Sequence, residues 1–228
     1  MCDTLFFQEE RERMVVEQIE QRGIRNERLL AVMRRVPRHC FVPPHLAGQA
    51  YEDGPLPIGN GQTISQPYIV ALMSSLLGLE GDETVLEIGT GSGYQAAVLG
   101  ELARTVHTIE RHAELADCAS RILSGLGYHN IEVHTGDGSS GWPEAAPYQA
   151  IMVTAAAPRP PEVLLKQLAK DGRLVIPVGD RYGQDLQLWS YDGGFLSPEN
   201  IIPVAFVPLR GEHGWKDEEW QDRPFPFK

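Results

Sequence analysis

A glycine-rich turn at residues 89–93 carries the clearest chemical signal in this chain. Val85, Leu86 and Ile88 predict a buried strand before the turn, and the apolar spacing after Tyr94 predicts a helix. Glycines at 89, 91 and 93 let the backbone approach a ligand that side chains would exclude. A dinucleotide site needs a small residue at position 94 to pack the helix around a pyrophosphate, and Tyr94 stands there instead. The turn therefore favours a nucleoside ligand without a pyrophosphate, with S-adenosylmethionine as the first candidate.

Three acidic residues lie within, at the end of, or just after the predicted strands. Glu110 ends the second strand, where an acid can accept hydrogen bonds from both ribose hydroxyls, although it could also be an ordinary solvated glutamate. Asp137 could contact an adenine amino group, but Asp-Gly is also a common turn signal. Glu87 lies inside the first strand, and we interpret it as a structural group satisfied by backbone donors of the glycine turn.

Ser65 is the candidate for positioning a substrate. It lies at the start of a predicted helix that has Pro67 in its first turn. A serine at that point commonly caps the helix, a contribution of ~1 kcal/mol. The same helix end presents free N–H groups and the positive end of the helix dipole, so it could also hold a carboxylate. On spacing alone the cap is the favoured interpretation.

A parallel sheet would bring these residues together at one edge. Two helices are predicted first, one over residues 9–21 and one capped by Asn26. The later strands are predicted at 84–89, 105–110, 131–135, 148–154 and 172–177, with helices at 94–103, 112–125 and 161–169. Segments 184–191 and 202–207 predict an antiparallel pair. We expect an α/β fold with a Rossmann-like doubly wound sheet, mostly parallel with an antiparallel C-terminal edge pair, plus N-terminal helices.

The length of 228 residues suits one domain over 1–228. Within it, residues 1–66 hold the N-terminal helices and a candidate active-site loop, 67–210 the cofactor-binding α/β core, and 211–228 a C-terminal tail. The tail is polar but carries Trp215, Trp220 and Phe225. Its sequence is compatible with a docked arm or with a partly disordered end.

Composition restricts the possible partners and the compartment. The net charge of -11 and the pI of about 5.1 argue against binding a phosphate backbone, so no nucleic-acid partner is expected. The three cysteines form no C-x-x-C pair, and the first ten residues do not look like a secretory signal, so we expect a cytoplasmic protein. No apolar run approaches the ~20 residues of a membrane span, and no membrane partner is expected. The seven histidines show no metal-binding spacing, and no metal is predicted.

Segment 59–73, which reads G-N-G-Q-T-I-S-Q-P-Y-I-V-A-L-M, resembles the protein-L-isoaspartate O-methyltransferase family when it is taken together with residues 85–94. Segments 136–142, 148–158 and 168–179 are also similar, so the resemblance spans roughly residues 11–209. Many methyltransferases share the glycine turn, whereas G-x-G-Q-T-I-S-Q-P is far more specific. Asn60 departs from the histidine more often expected there, and the tail after Leu209 diverges.

The resemblance implies a role for each matching position. Ser65 matches the active-site serine, and Gln62, Thr63 and Ile64 match the loop that closes over cofactor and substrate. The implied cofactor-binding residues are Gln62, Thr63, Ile64, Gly89, Thr90, Gly91, Ser92, Glu110, Arg111, Asp137 and Gly138. The implied reaction moves a methyl group from S-adenosylmethionine to the free α-carboxylate of L-isoaspartyl residues in damaged proteins and peptides. S-adenosylhomocysteine is the implied product, and a monomer is expected.

Three alternatives remain at this point. One is a methyltransferase for a small molecule, which would differ in segment 57–67. Another is an NAD-dependent oxidoreductase, disfavoured by Tyr94, and the third is a non-catalytic nucleoside sensor in which Ser65 is only a cap. For the favoured chemistry, the glycine turn and the loop ending at Ser65 must meet at the carboxyl edge of the sheet.

Overall fold

The computed structural model describes residues 4–216 and 218–220, and its central feature is a seven-stranded sheet. The strands are β1 (Leu56–Gly59), β2 (Gln62–Ile64), β3 (Thr84–Ile88), β4 (Thr105–Glu110), β5 (Ile131–Thr135), β6 (Tyr148–Val153), β7 (Leu168–Gly179), β8 (Gln184–Asp192) and β9 (Phe195–Val204). The α-helices are α1 (Leu5–Arg13), α2 (Glu27–Arg35), α3 (Pro67–Leu77), α4 (Tyr94–Leu102), α5 (Ala113–Gly125) and α6 (Glu162–Leu165). In the described part of the chain, no helix combines the length and apolar character that crossing a bilayer requires.

The sheet has the order β5-β4-β3-β6-β7-β8-β9, and β1 and β2 form a separate hairpin. The first five strands in this order, β5, β4, β3, β6 and β7, pair in parallel, and β8 and β9 add an antiparallel pair at one edge. This confirms the predicted doubly wound sheet. Ile88 pairs with Ile109 of β4 and Val153 of β6, so these three strands end at the same level. The glycine turn, Glu110 and Thr154 come directly after Ile88, Ile109 and Val153, and they therefore lie at one edge of the sheet.

The central strands of the sheet are buried on both faces, which explains why apolar residues occupy consecutive positions in them, such as Val85 and Leu86 of β3 and residues 150–153 of β6. In β6, Ala150 and Met152 pack into a core with the N-terminal helices, α3 and α4. Ile151 and Val153 point to the opposite side and pack with Leu164 of α6. The alternation follows from the two-residue period of a strand, which sends successive side chains to opposite faces of the sheet.

The N-terminal helices differ slightly from their predicted bounds. Helix α1 begins at Leu5, and a π-helical segment, Met14–Glu20, continues it to the turn at Gly23. Helix α2 is capped as predicted, since the Asn26 side chain accepts a hydrogen bond of 3.0 Å from the Leu29 amide. These elements lie against α3 and α4 and close the core on their face of the sheet.

Two C-terminal predictions were wrong in their bounds. The strand predicted at 202–207 begins at Phe195, because Gly193 and Gly194 both have positive φ and form a two-residue hairpin turn from β8. Prolines at 198 and 203 are tolerated because β9 is an edge strand. The helix predicted at 161–169 is only Glu162–Leu165, since β7 begins at Leu168, opposite Tyr148.

Candidate active site

A cavity of about 500 Å³ opens at the carboxyl ends of β3, β4 and β6. Open α/β sheets bind their ligands at this edge. Four separate parts of the chain surround it: the β1–β2 hairpin, the glycine turn with neighbouring strand ends, the turn after β5, and the C-terminal segment. Its lining residues are Asn60, Gly61, Gln62, Thr63, Ile88, Gly89, Gly91, Ile109, Glu110, Arg111, His112, Gly138, Thr154, Ala155, Val207, Pro208, Leu209, Arg210 and Trp220.

The glycine turn forms one wall of the cavity in a conformation that requires glycine. Gly89, Gly91 and Gly93 have φ values of +98°, +53° and +88°. A Cβ at Gly89 would overlap the hydroxyl of Thr154, which donates a hydrogen bond of 2.7 Å to the Gly89 carbonyl. The backbone at this position is therefore held close to the end of β6 and stays open on the cavity side.

Tyr94, where a dinucleotide turn would have a small residue, has a structural role. Its ring is buried at the start of α4, with Phe41 at 5.6 Å and the Arg38 guanidinium at 4.9 Å from its centroid. Burial raises the pKa of its hydroxyl well above the usual range, so it stays protonated. Tyr94 thus attaches the cofactor-side helix to the N-terminal segment.

Glu110 lies in the cavity with its carboxylate held at both oxygens. One oxygen accepts a hydrogen bond from the Gly91 amide and the other from the His112 amide, each 2.9 Å long. Each carboxylate oxygen can accept a further bond. The side chain is buried on the protein side and lines the cavity, so the geometry suits an acceptor for two vicinal hydroxyls.

Glu87 lies beneath the turn, outside the cavity lining. It accepts a hydrogen bond of 2.6 Å from the Thr108 hydroxyl, which also contacts the Thr90 hydroxyl at 2.6 Å. Burial raises the pKa of Glu87 to about 8, and the nearby Glu110 adds to the effect. The expectation that backbone donors of the turn satisfy it was wrong, because a neighbouring strand supplies the threonine instead.

The β1–β2 hairpin and the glycine turn meet, as the favoured chemistry requires. Gln62 and Thr63 line the cavity, and a Cβ at Gly91 would lie 3.3 Å from the Ile58 side chain. Ile64 is buried in the core and lies outside the lining. The hairpin tip at Asn60 also reaches α5, with a contact of 3.5 Å to the Glu114 carboxylate.

Ser65 follows β2 immediately and is half-buried; it lies two residues beyond Thr63, the last hairpin residue that lines the cavity, and is itself outside the lining. The interpretation of Ser65 as the cap of α3 was wrong, because Gln66 occupies the cap position and no side chain caps the helix. The residue before a proline favours extended backbone, and Gln66, before Pro67, has φ −50° and ψ 139°. No hydrogen bond joins the Ser65 hydroxyl to another described residue, so it is available to a ligand.

The other predicted cofactor residues fall into two groups. Arg111 and Gly138 line the cavity, and a Cβ at Gly138 would clash with Ile88. Thr90 is buried against Thr108, and Ser92 accepts a bond of 3.3 Å from the Tyr94 amide. Neither of these two hydroxyl residues lines the cavity.

Asp137 holds the C-terminal segment in place. Its carboxylate accepts hydrogen bonds of 2.7 Å from the Glu212 amide and 2.9 Å from the Ser139 amide. Burial opposes its charge, but the bonds from Glu212 and Ser139 outweigh burial and lower the pKa. Asp137 itself does not line the cavity. It acts on the cavity by holding the C-terminal segment, which forms one wall, and by preceding Gly138, which lines it.

The sequence reasoning missed Thr154 and the C-terminal wall. Thr154 follows β6 immediately, and its place at the carboxyl end of a strand that pairs with β3 could have identified it. Trp220 is 8% exposed, packs against Trp215 with ring centroids 5.4 Å apart, and lines the cavity with Arg210. The described part of the tail is thus a docked arm, and Phe225 lies outside the described residues.

The chain is similar to known proteins over most of its length. The chain matches the family described as protein-L-isoaspartate(D-aspartate) O-methyltransferase over residues 9–214. It is 55% identical over 210 residues to protein-L-isoaspartate O-methyltransferase 1 of Syntrophobacter fumaroxidans, covering 92% of this chain and 98% of that protein. It is 56% identical over 212 residues to the protein-L-isoaspartate O-methyltransferase of Syntrophus aciditrophicus, covering 92% and 97%.

Two solved structures share the fold. A protein-L-isoaspartate O-methyltransferase superimposes with a TM-score of 0.80 at 28% identity, covering 90% of this chain and 67% of that one. A Plasmodium falciparum protein described under the same activity was solved in complex with S-adenosyl-L-homocysteine. It gives a TM-score of 0.76 at 24% identity, covering 88% of this chain and 98% of that one.

Proposed function

The chain belongs to the protein-L-isoaspartate(D-aspartate) O-methyltransferase family, and from this premise we propose how its residues divide the work of the reaction. The enzyme moves a methyl group from S-adenosylmethionine to the free α-carboxylate of L-isoaspartyl residues in damaged proteins and peptides. The resemblance based on the G-x-G-Q-T-I-S-Q-P segment is confirmed by the match over residues 9–214. The oxidoreductase, small-molecule and sensor alternatives are set aside by this membership.

The cavity fits the cofactor. Its volume of about 500 Å³ lies within the ~300–1,000 Å³ of small-molecule sites. Glu110 offers acceptor oxygens for ribose hydroxyls, and the side-chain-free backbone at Gly89 and Gly91 allows close approach. Gly138 leaves room on the side where the adenine is proposed to lie.

S-adenosylmethionine supplies an electrophilic methyl group when it is bound. The nucleophile is a carboxylate with a reference pKa of about 3.5, so it is already ionised at neutral pH and needs no general base. The protein's contribution is to hold the carboxylate in line and to exclude water. Glu110 fixes the nucleoside, and Gln62 and Thr63 of the hairpin cover the cavity.

We assign to Ser65 the positioning of the substrate carboxylate. The observation that carries this assignment is the meeting of the β1–β2 hairpin and the glycine turn around one cavity, with the free Ser65 hydroxyl at the end of the hairpin. A hydroxyl there donates one hydrogen bond to a carboxylate oxygen. Such a bond to a charged group contributes about 1.5–3 kcal/mol.

Paired peptides test the substrate. The two peptides are identical except for one L-isoaspartyl or L-aspartyl linkage, and each is incubated with radiolabelled S-adenosylmethionine. We expect label only in the isoaspartyl peptide. Equal labelling of both peptides, or none in either, would contradict the function.

Ser65→Ala tests the positioning role separately. We expect turnover to fall by about 10-fold to 100-fold, the equivalent of one charged hydrogen bond, with cofactor affinity unchanged. Ser124→Ala, at an exposed position on α5, is the matched control. Wild-type turnover in Ser65→Ala would remove the role from Ser65 and leave the substrate assignment standing.

We also propose a single-domain, monomeric, cytoplasmic enzyme without a nucleic-acid partner. A continuous apolar core from Met14 to Trp220 supports one domain, and the net charge of -11 disfavours binding to nucleic acid. Light scattering coupled to size-exclusion chromatography measures the mass, and one cooperative unfolding transition is expected. A dimer mass or two separate transitions would contradict these assignments.

A further inference from the structure

A second group of ligand-type side chains lies on β4 and β5, away from the active-site cavity. His107 pairs in register with Glu132, and His134 lies two residues further along β5. The two-residue period of a strand therefore places all three side chains on one face of the sheet. None of the three lines the active-site cavity. The linear spacing of the histidines did not reveal this group, because it forms only when the two strands pair.

Three potential donor atoms of these residues converge. The His107 Nδ1 lies 3.2 Å from the His134 Nε2 and 3.5 Å from a Glu132 carboxylate oxygen. The same oxygen lies 4.0 Å from the His134 Nε2. A zinc ion bonded to both nitrogens at ~2.05 Å would make an N–Zn–N angle of about 100°, close to tetrahedral. The spacing of the nitrogens therefore suits a shared metal ion.

Aromatic contacts hold both imidazoles in place. The His134 ring stacks on Trp142 with centroids 4.0 Å apart, and His107 packs edge-on against Tyr148 at 6.2 Å. The Tyr148 hydroxyl donates a bond of 2.5 Å to the Trp142 carbonyl, which joins the two supports. Ligands that are already fixed lose little conformational freedom on binding.

The group is accessible from one side only. The Glu132 side chain is 62% exposed, whereas those of His107 and His134 are 10% and 17% exposed. A hydrogen bond between the rings would explain the 3.2 Å contact, but it leaves the convergence of the carboxylate unexplained.

We propose that His107, Glu132 and His134 form a binding site for a divalent transition metal of the zinc class. Two imidazoles and one carboxylate are a donor set that zinc accepts, and the open side at Glu132 leaves the fourth position to water. The bound ion joins β4 to the edge strand β5, so its effect is to stabilise that edge of the sheet.

Metal titration of the chelator-treated protein tests this site. We expect one equivalent of Zn²⁺ to bind with micromolar affinity in calorimetry. Zinc at 100 times the dissociation constant should raise the melting temperature by roughly 5–10 °C. Co²⁺, which has unpaired electrons, should quench part of the tryptophan fluorescence through Trp142, and added Zn²⁺ should reverse the quenching.

Single substitutions locate the binding. His134→Gln and Glu132→Gln should each weaken Zn²⁺ binding at least tenfold and abolish the quenching. Because both residues lie outside the cavity, methylation of the isoaspartyl peptide should persist in these variants, which shows that they are folded. His45→Gln and His129→Gln, at exposed positions, are the controls and should bind like wild type. Absence of binding at 1 mM Zn²⁺, or binding unchanged in His134→Gln and Glu132→Gln, would overturn the proposal.

Discussion

Glu87 makes the pH dependence of folding stability predictable. Its carboxyl group is fully buried, with one oxygen bonded to Thr108 and the other without a partner among the described residues. Burial raises its pKa from 4.5 to about 8. Folded Glu87 therefore keeps its proton at neutral pH, while in the unfolded chain the same group is ionised.

The sign and size of the effect follow from this difference. Between about pH 4.5 and pH 8 the folded state binds one more proton than the unfolded state, so stability falls as the pH rises. The slope is ~1.4 kcal/mol per pH unit, and the whole window corresponds to a loss on the order of 5 kcal/mol. Glu87→Gln keeps the shape of the side chain and cannot ionise, so this loss should vanish.

Urea unfolding followed by tryptophan fluorescence at pH 5.5, 6.5 and 7.5 measures the effect. The free energy of unfolding of wild type should fall by about 3 kcal/mol more than that of Glu87→Gln across this range. The other ionisable side chains are the same in both proteins, so their contributions cancel in the comparison. Glu162→Gln, whose native side chain is 87% exposed, should retain the wild-type slope. Identical slopes for wild type and Glu87→Gln would refute the reasoning.

Three further substitutions test the walls of the cavity. Gly89→Ala should weaken binding of S-adenosylhomocysteine at least tenfold in calorimetry, since its Cβ would overlap Thr154, while Gly125→Ala, with open space around it, should not. Asp137→Asn should lower the free energy of unfolding by about 1–2 kcal/mol and expose the tail to trypsin, because a charged acceptor for two backbone amides is lost. An unchanged digestion pattern would contradict this. Glu110→Gln should lower cofactor affinity roughly 10-fold to 100-fold in equilibrium dialysis, and wild-type affinity would remove its ribose role.

The parallel part of the fold was predictable because short segments rich in apolar residues alternate with helical patterns along this part of the chain. Val85–Ile88 and the glycines after it define β3 and the start of α4 without any reference to the rest of the chain. The C-terminal hairpin was less predictable. The two glycines at 193 and 194 are typical of a two-residue hairpin turn, and they mark the start of β9 at Phe195, several residues before the predicted position 202.

The candidate site was predictable where it follows a strand end. Gly89, Gly91, Glu110 and Gly138 all line the cavity, as their places at the carboxyl edge implied. The capping interpretation of Ser65 failed for a local reason. Proline at the first helical position keeps the residue before it extended, so the helix begins one residue later than a serine cap would require.

The C-terminal wall shows why part of such a site has no linear signature. Trp220 reaches the cavity only because the tail turns back and docks, and Asp137 secures that docking through the Glu212 amide. Nothing in the sequence relates a tryptophan in a polar tail to an aspartate in a glycine turn. The two come to act on the same cavity only when the chain has folded. The wall formed by the glycine turn and Glu110 is thus encoded locally by strand ends. The facing wall depends on contacts between segments distant in sequence, the β1–β2 hairpin and the described part of the C-terminal segment.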